Sequence, residues 1–476
     1  MPLGPFDRRA KCFRCITCAA SHSKRWWVWL SASFPDLTEC SGRIPCTRCQ
    51  KRCIRCVFPV PPPSENGHAI MLDRGKAHTP RDFTTSREFY PLAPLPHAMT
   101  KYLFYFDLFV RRNSFTGREP CFLSDVQNAI KSPSSMQLYP RSYLLNAMLA
   151  LGAMHVTLVG ELDRQTGLRF ATESYMKSVA ELREAVSNFS SSQRNAVLWT
   201  TLFLGLFELM QDASGQKWLQ HMVFGTSQAL IASGSATCIS GTMRTFFIQA
   251  RSFEVCRSII FNQASFLAGP EWINLTESLS KSNVEPVHGS LDELWQLIVL
   301  CSALRARTAE FIEYISGCPN AEDYFLQAMS LATEGFNLRE ALEGWKSSAV
   351  FPPERREEML LSTVYYSATS IYLSGNYDYE LSHWQTMGVG VQGLDPAEIA
   401  IHFHIVTSTV KEAMRASNLS PLLFLFPLRI AGARAKQKWQ QCLVKELLRE
   451  VRKKFIVADA MLTELAELWS SSPMAS

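Results

Sequence analysis

The chain has 476 residues and a mass of 53.7 kDa, too long for one small domain and long enough for a large buried core beside a small module. Hydrophobic residues make up 47% of it, so most of the chain is expected to fold, and no run of about 20 uninterrupted apolar residues offers a membrane span. The net charge of +5 conceals an asymmetry: residues 1–59 carry 11 Lys and Arg against 3 Asp and Glu, and the remainder carries 37 against 40. A basic head on a nearly neutral body predicts that a polyanion meets the head.

The N-terminal stretch MPLGPFDRRAKCFRC lacks the apolar core of a signal peptide, which makes a reducing compartment the expectation. Clustered cysteines there serve as metal ligands more often than as disulfides. Eight of the 14 cysteines fall between residues 12 and 56. Cys15, Cys18, Cys40, Cys46, Cys49 and Cys56 are separated by 2, 21, 5, 2 and 6 residues, so two C-x2-C pairs stand ready to turn two thiolates each onto one ion. Zinc takes four such soft ligands in a tetrahedron, and six thiolates serve two zinc ions when two of them bridge. Cys12 and Cys53 would allow two independent four-cysteine sites. The spacing favours six ligands plus two bystanders, because each of this pair lies three residues from another ligand.

The pattern resembles the fungal Zn2Cys6 binuclear-cluster transcription factors. CSGRIPCTRCQKRCIRC, from Cys40 to Cys56, matches the second half of their motif and includes Pro45 before the fourth ligand. CITCAASHSK, from Cys15 to Lys24, matches the first half up to the residue where the third cysteine belongs. Arg25 stands there instead, and the motif resumes at Cys40 after a 15-residue insert, 25–39, with three tryptophans. The insert is either a genuine loop or the translation of a short retained intron. The resemblance implies a nuclear, zinc-dependent regulator of RNA polymerase II transcription. Two zinc ions in a shared cluster would order residues 12–58, and the first helix would enter the major groove of double-stranded DNA at G·C-rich, CGG-like triplets. It places His22 and Lys24 at groove-facing positions, and Lys can donate to guanine O6 and N7. Arg43, Arg48, Lys51, Arg52 and Arg55 read as phosphate contacts, which position the module without specifying sequence. The AAS stretch before His22 is poorer in charge than is common in the family, which points to weaker DNA binding. Control of a secondary-metabolite biosynthetic gene cluster is a common use of such proteins.

Residues 59–94, rich in Pro, Gly and polar residues, read as a flexible linker, stiff at its proline end. No heptad run follows, so dimerisation through the body and monomeric binding both stay open. From about 95 onward the apolar spacing is helical, and the body is predicted to be mostly all-α. Helices are expected over 97–112, 140–160, 166–189, 192–211, 215–234, 243–267, 291–316, 321–346, 355–373, 395–414 and 434–465, with an exposed break over 271–290. In the third of these, Phe170, Met176, Val179, Leu182 and Val186 mark an apolar face; the fourth is apolar on nearly all sides and hence central.

YLLNAMLALGAMH, SYMKSVAELREAV, LFLGLFELMQDASGQKWLQHMVFGTSQAL and FEVCRSIIFNQASFLAGPEW, in this order, resemble the fungal-specific transcription factor domain of the second type, over about 95–465. That resemblance implies a helical regulatory domain that dimerises, senses metabolites or contacts coactivators, with no catalytic role. The residues themselves supply no enzyme motif. GVGVQG at 388–393 lacks a βαβ context, and the Trp218–His221 pair reads as packing. His155, Glu208 and Arg257 read either as pocket residues or as buried groups tied up by hydrogen bonds. The competing reading of the whole chain is a helical interaction or metabolite-sensing protein whose zinc cluster is disrupted by the insert.

Overall fold

The computed structural model describes residues 97–117, 142–160, 163–187, 193–221, 225–281, 289–317 and 324–471. The predicted zinc module at 12–58 and the linker at 59–94 lie outside them. The described residues form α-helices with short 3-10 turns and no strand; one isolated parallel bridge joins Ser114 to Leu419.

The first half is built around one helix. α1 (His97–Arg111) buries Tyr102, Phe106, Phe109 and Val110 on a single stripe. α2 (Ser142–Leu158) is buried on almost every side, from Tyr143 to Thr157. α3 (Arg164–Ser187) and α4 (Arg194–Gln211) complete its shell. α1 approaches α2 so closely that a Cβ at Gly152 would stand 1.9 Å from the Tyr102 carbonyl oxygen. α3 buries mainly small residues: Gly167, Ala171, Ser174, Ser178 and Leu182. The Ser178 hydroxyl donates to the Tyr143 carbonyl at 2.7 Å. Of the larger residues expected on that face, Met176 and Val186 are 60% and 52% exposed. Close helix packing selected the small side chains, and the large ones stand beside the seam.

The expected helix over 215–234 is interrupted: α5 (Gln216–His221) and α6 (Ser227–Ser233) are separate. α7 (Gly241–Ile260) ends before the expected 267, where Asn262 takes a left-handed φ of 49° and turns the chain back. The segment expected as an exposed break instead opens with α8 (Pro270–Lys281), which buries Trp272, Leu275 and Leu279. Its spacing of 3 and 4 residues was present in the sequence, hidden among Ser, Glu and Asn.

The second half repeats the plan of the first. α9 (Leu291–Gly317), α10 (Tyr324–Ser348), α11 (Arg356–Asp378), the short α12 (Leu381–Thr386), α13 (Pro396–Ala416) and α14 (Leu425–Ala433) follow. α11 is the buried axis, with α9, α10, α13 and α14 packed on it. α13 starts sharply because Asp395 accepts from the Glu398 backbone N–H and the Glu398 carboxylate accepts from that of Asp395, both at 2.8 Å, with Pro396 in the first turn. The helix expected over 434–465 is two, α15 (Lys438–Arg452) and α16 (Ala458–Ser471), with Phe455 and Val457 turned inward between them. α7 packs on α4, α9 and α14, and so joins the two halves.

The approach at Gly152 generates a prediction. Gly152→Ala raises intrinsic helix propensity, yet its methyl has no room against α1. The expected result is a loss of about 1–3 kcal/mol or more in urea unfolding. Unchanged stability would show that α1 is not seated on α2 in this way.

Candidate functional site

The predicted DNA and zinc residues lie outside the described residues: Cys15, Cys18, Cys40, Cys46, Cys49 and Cys56 as ligands, and His22, Lys24, Arg43, Arg48, Lys51, Arg52 and Arg55 as DNA contacts. The chemistry of the helical body rests on two buried polar clusters and one cavity.

The first cluster is organised by α7, whose buried surface includes charge. Arg257 and Glu254 have side chains only 7% and 2% exposed. Arg257 Nη2 donates to Glu254 Oε1 at 2.7 Å and Nε donates to Oε2 at 2.9 Å, a two-pronged pairing. The hydroxyls of Ser227 and Ser265 donate to the same carboxylate at 2.8 and 2.9 Å, and Arg257 Nη1 donates to Gln263 Oε1 at 2.8 Å. Every strong donor and acceptor of the pair is therefore met, by α6 and by the turn that Asn262 creates. Arg257 is a tied-up buried group rather than a pocket residue. Glu254 drew no attention in the sequence, because one carboxylate three residues before an arginine is a common surface pair.

The second cluster joins α3, α4 and α5. The Tyr175 hydroxyl donates to Glu208 Oε1 at 2.6 Å, and His221 Nδ1 lies 3.3 Å from the same oxygen. Glu208 Oε2 and His221 Nε2 are buried without a protein partner. Burial, reinforced by the Glu208 carboxylate, raises the Tyr175 hydroxyl well above its ordinary value. Trp218 is buried against α4, where Gly205 leaves room for its indole edge, so this tryptophan is packing as expected while His221 carries a carboxylate partner.

His155, on α2, is separate from both clusters. Its ring meets the edges of Phe109 and Tyr105, and Nε2 has no partner. Burial pushes its pKa down to about 4, aided by the charges of Lys454 and Arg112.

The cavity lies where α4, α5, α7, α14 and α16 meet. Its walls include Leu209, Trp218, Phe253, Cys256, Phe426 and Met461, and its enclosed volume is about 50 Å³. Neither Glu208, His155 nor Arg257 lines it. Cys256 Sγ lies 3.4 Å from the Tyr365 hydroxyl, and burial pushes the thiol up to about 11, far from a reactive thiolate. Cys238 and Cys301 are buried and Cys442 is exposed, scattered as core and surface residues. The 388–393 glycine stretch is the connection that follows α12 and leads to the Asp395 cap, with no strand beside it among the described residues. No described helix is long and apolar enough to cross a membrane.

The comparison with protein families decides what this helical body is: residues 95–475 match the fungal-specific transcription factor domain. The chain belongs to that family. The family is one of transcription factors, so the body is that of a transcription regulator. An uncharacterized protein of Emericella nidulans is 26% identical over 141 residues, a match that covers 30% of this chain and 28% of that protein's length. No solved structure matches the chain.

Two predictions follow from these buried groups. Arg257→Ala leaves Glu254 buried without its cation and is expected to cost about 3–5 kcal/mol in chemical unfolding. A loss within experimental error would mean that the carboxylate is not buried as described. For His155, a folded pKa near 4 lies below the ordinary unfolded value of 6.5. The unfolded chain then binds the extra proton first, so stability is full above about pH 6.5 and falls as the pH drops toward 4. His155→Gln should flatten that part of a stability-against-pH curve; an unchanged slope would contradict the burial of a neutral imidazole.

Proposed function

We propose that the chain is a zinc-dependent, sequence-specific DNA-binding regulator of RNA polymerase II transcription that acts in the nucleus. The observation that carries this reading is the six-cysteine spacing from Cys15 to Cys56, in a basic segment, ahead of a body that matches a transcription factor domain. Six thiolates are the right donor set for two zinc ions, and a module this small generally needs its metal to fold. Cys15, Cys18, Cys40, Cys46, Cys49 and Cys56 hold the ions. Arg43, Arg48, Lys51, Arg52 and Arg55 neutralise phosphates, and His22 and Lys24 read a G·C-rich, CGG-like triplet. The helical body supplies regulation, through pairing with a second copy or contact with coactivators, and the target genes are those of a biosynthetic cluster. One observation favours a second reading, a helical sensing or interaction protein that does not bind DNA. The tryptophan-rich insert Arg25–Glu39 interrupts the first half of the ligand set.

Two substitutions separate these readings. Cys49→Ala in the full-length chain should release zinc and abolish the specific shift of a CGG-containing duplex in gel electrophoresis; retention of both would remove Cys49 from the ligand set. Lys51→Ala should weaken binding to all sequences about equally and lower the slope of log K against log salt by about 1. A loss confined to one sequence would make Lys51 a base-reading residue.

A further inference from the structure

A cavity lies between the two halves of the body. We infer that it is a binding site for a small, uncharged, apolar molecule. Natural interiors are packed as densely as organic crystals and seldom leave a void larger than one water. A water needs roughly 10–15 Å³ of such space, and this cavity, open on one side, holds about 50 Å³ of it. Ile260, Phe261 and Ala460 are half-buried and Ser214 is exposed, and these residues form the rim.

The walls state what kind of molecule fits. Leu209, Trp218, Phe253, Leu425, Phe426 and Met461 are apolar and buried. The polar side chains among the lining residues are already engaged. Ser214 donates to Asp212 Oδ1 at 2.7 Å, Ser252 donates to the Gln249 carbonyl at 3.1 Å, and the Cys256 thiol pairs with the Tyr365 hydroxyl. No charged side chain lines the space, so an ionic ligand would lose its hydration with nothing in return.

Its position gives the site a consequence. One wall is the end of α4 and the six-residue α5, which Trp218 and the His221–Glu208 contact hold in place. The opposite wall is α14 and the start of α16, and the Val457 N–H donates across the gap to the Leu209 carbonyl at 3.2 Å. α7 forms the floor. An occupant therefore touches both halves at once and favours the packed arrangement over any in which they separate. This inference does not rest on residues 12–58 and stands or falls apart from the DNA-binding proposal.

The test uses the full-length protein with n-hexanol and benzyl alcohol as uncharged probes and hexanoate as the charged control of equal chain length. The uncharged probes should raise Tm saturably, by about 3 °C. They should also change tryptophan emission, and Trp218→Phe should remove most of that change while the Tm shift remains. Hexanoate should do neither. Ala460→Phe, at the half-exposed rim, should keep a Tm at or above that of the unsubstituted chain and abolish the response. If Ala460→Phe does not fold, Ala460→Leu and the Trp218 emission carry the same comparison. No response to either uncharged probe, an equal response to hexanoate, or a response retained after the cavity is filled would overturn the inference.

Discussion

A helix that is buried on every side has to be surrounded, and this body is arranged to surround two of them. α2 is buried over its whole length and α11 nearly so, and each carries a shell of neighbours. Burying a single large aliphatic or aromatic side chain is worth about 1.5–3 kcal/mol, so a helix with seven such positions, as α2 has, or nine, as α11 has, dominates its half of the domain. The requirement also sets the chemistry of the surroundings. Two polar groups of α11 reach neighbouring elements: the Asn376 amide donates to Thr308, and the Ser374 hydroxyl accepts from the Leu394 N–H while donating to Asp378 on its own helix.

Two shells built in this way leave a seam, and buried ion pairs lie both across it and within each half. The Glu254–Arg257 pair binds α7 to α6 and to its own returning turn. Arg251, also on α7, pairs with Asp292 in the first turn of α9, where the helix dipole further favours the carboxylate. Arg429 pairs with Glu464 between α14 and α16. Buried pairs of this kind add little net stability and fix one arrangement over its competitors, because any slip leaves a charge unpaired. The apolar cavity lies on the same seam, at a corner where hydrocarbon rather than charge meets.

Much of the body was legible in the sequence because large apolar residues recur at helical spacing. Tyr102, Phe106, Phe109 and Val110 marked α1, and the all-round apolar run at 195–210 marked α4 as central. The failures share a cause. In α3 the buried face is made of glycine, alanine and serine, so a search for large side chains pointed to Met176 and Val186 instead. In α8 three buried residues were diluted by polar neighbours. The division of 434–465 depends on Phe455 and Val457 turning inward, a tertiary preference with no Gly or Pro to announce it. Glu208 was singled out in the sequence as a pocket or buried residue, whereas Glu254 was illegible because the hydroxyls that meet it, on Ser227 and Ser265, lie 27 and 11 positions away. The cysteine ligands are the reverse case, since their spacing alone carries the chemistry that the proposal assigns to them.

The account joins a metal-ordered basic module to a transcription factor body, and its central claim is that the module holds metal. The most direct measurement is the zinc content of the purified 476-residue protein, insert included, by atomic emission after exhaustive dialysis. The account predicts two zinc ions per chain. A chain that retains none would contradict it and leave a helical transcription factor body without a zinc-dependent route to DNA.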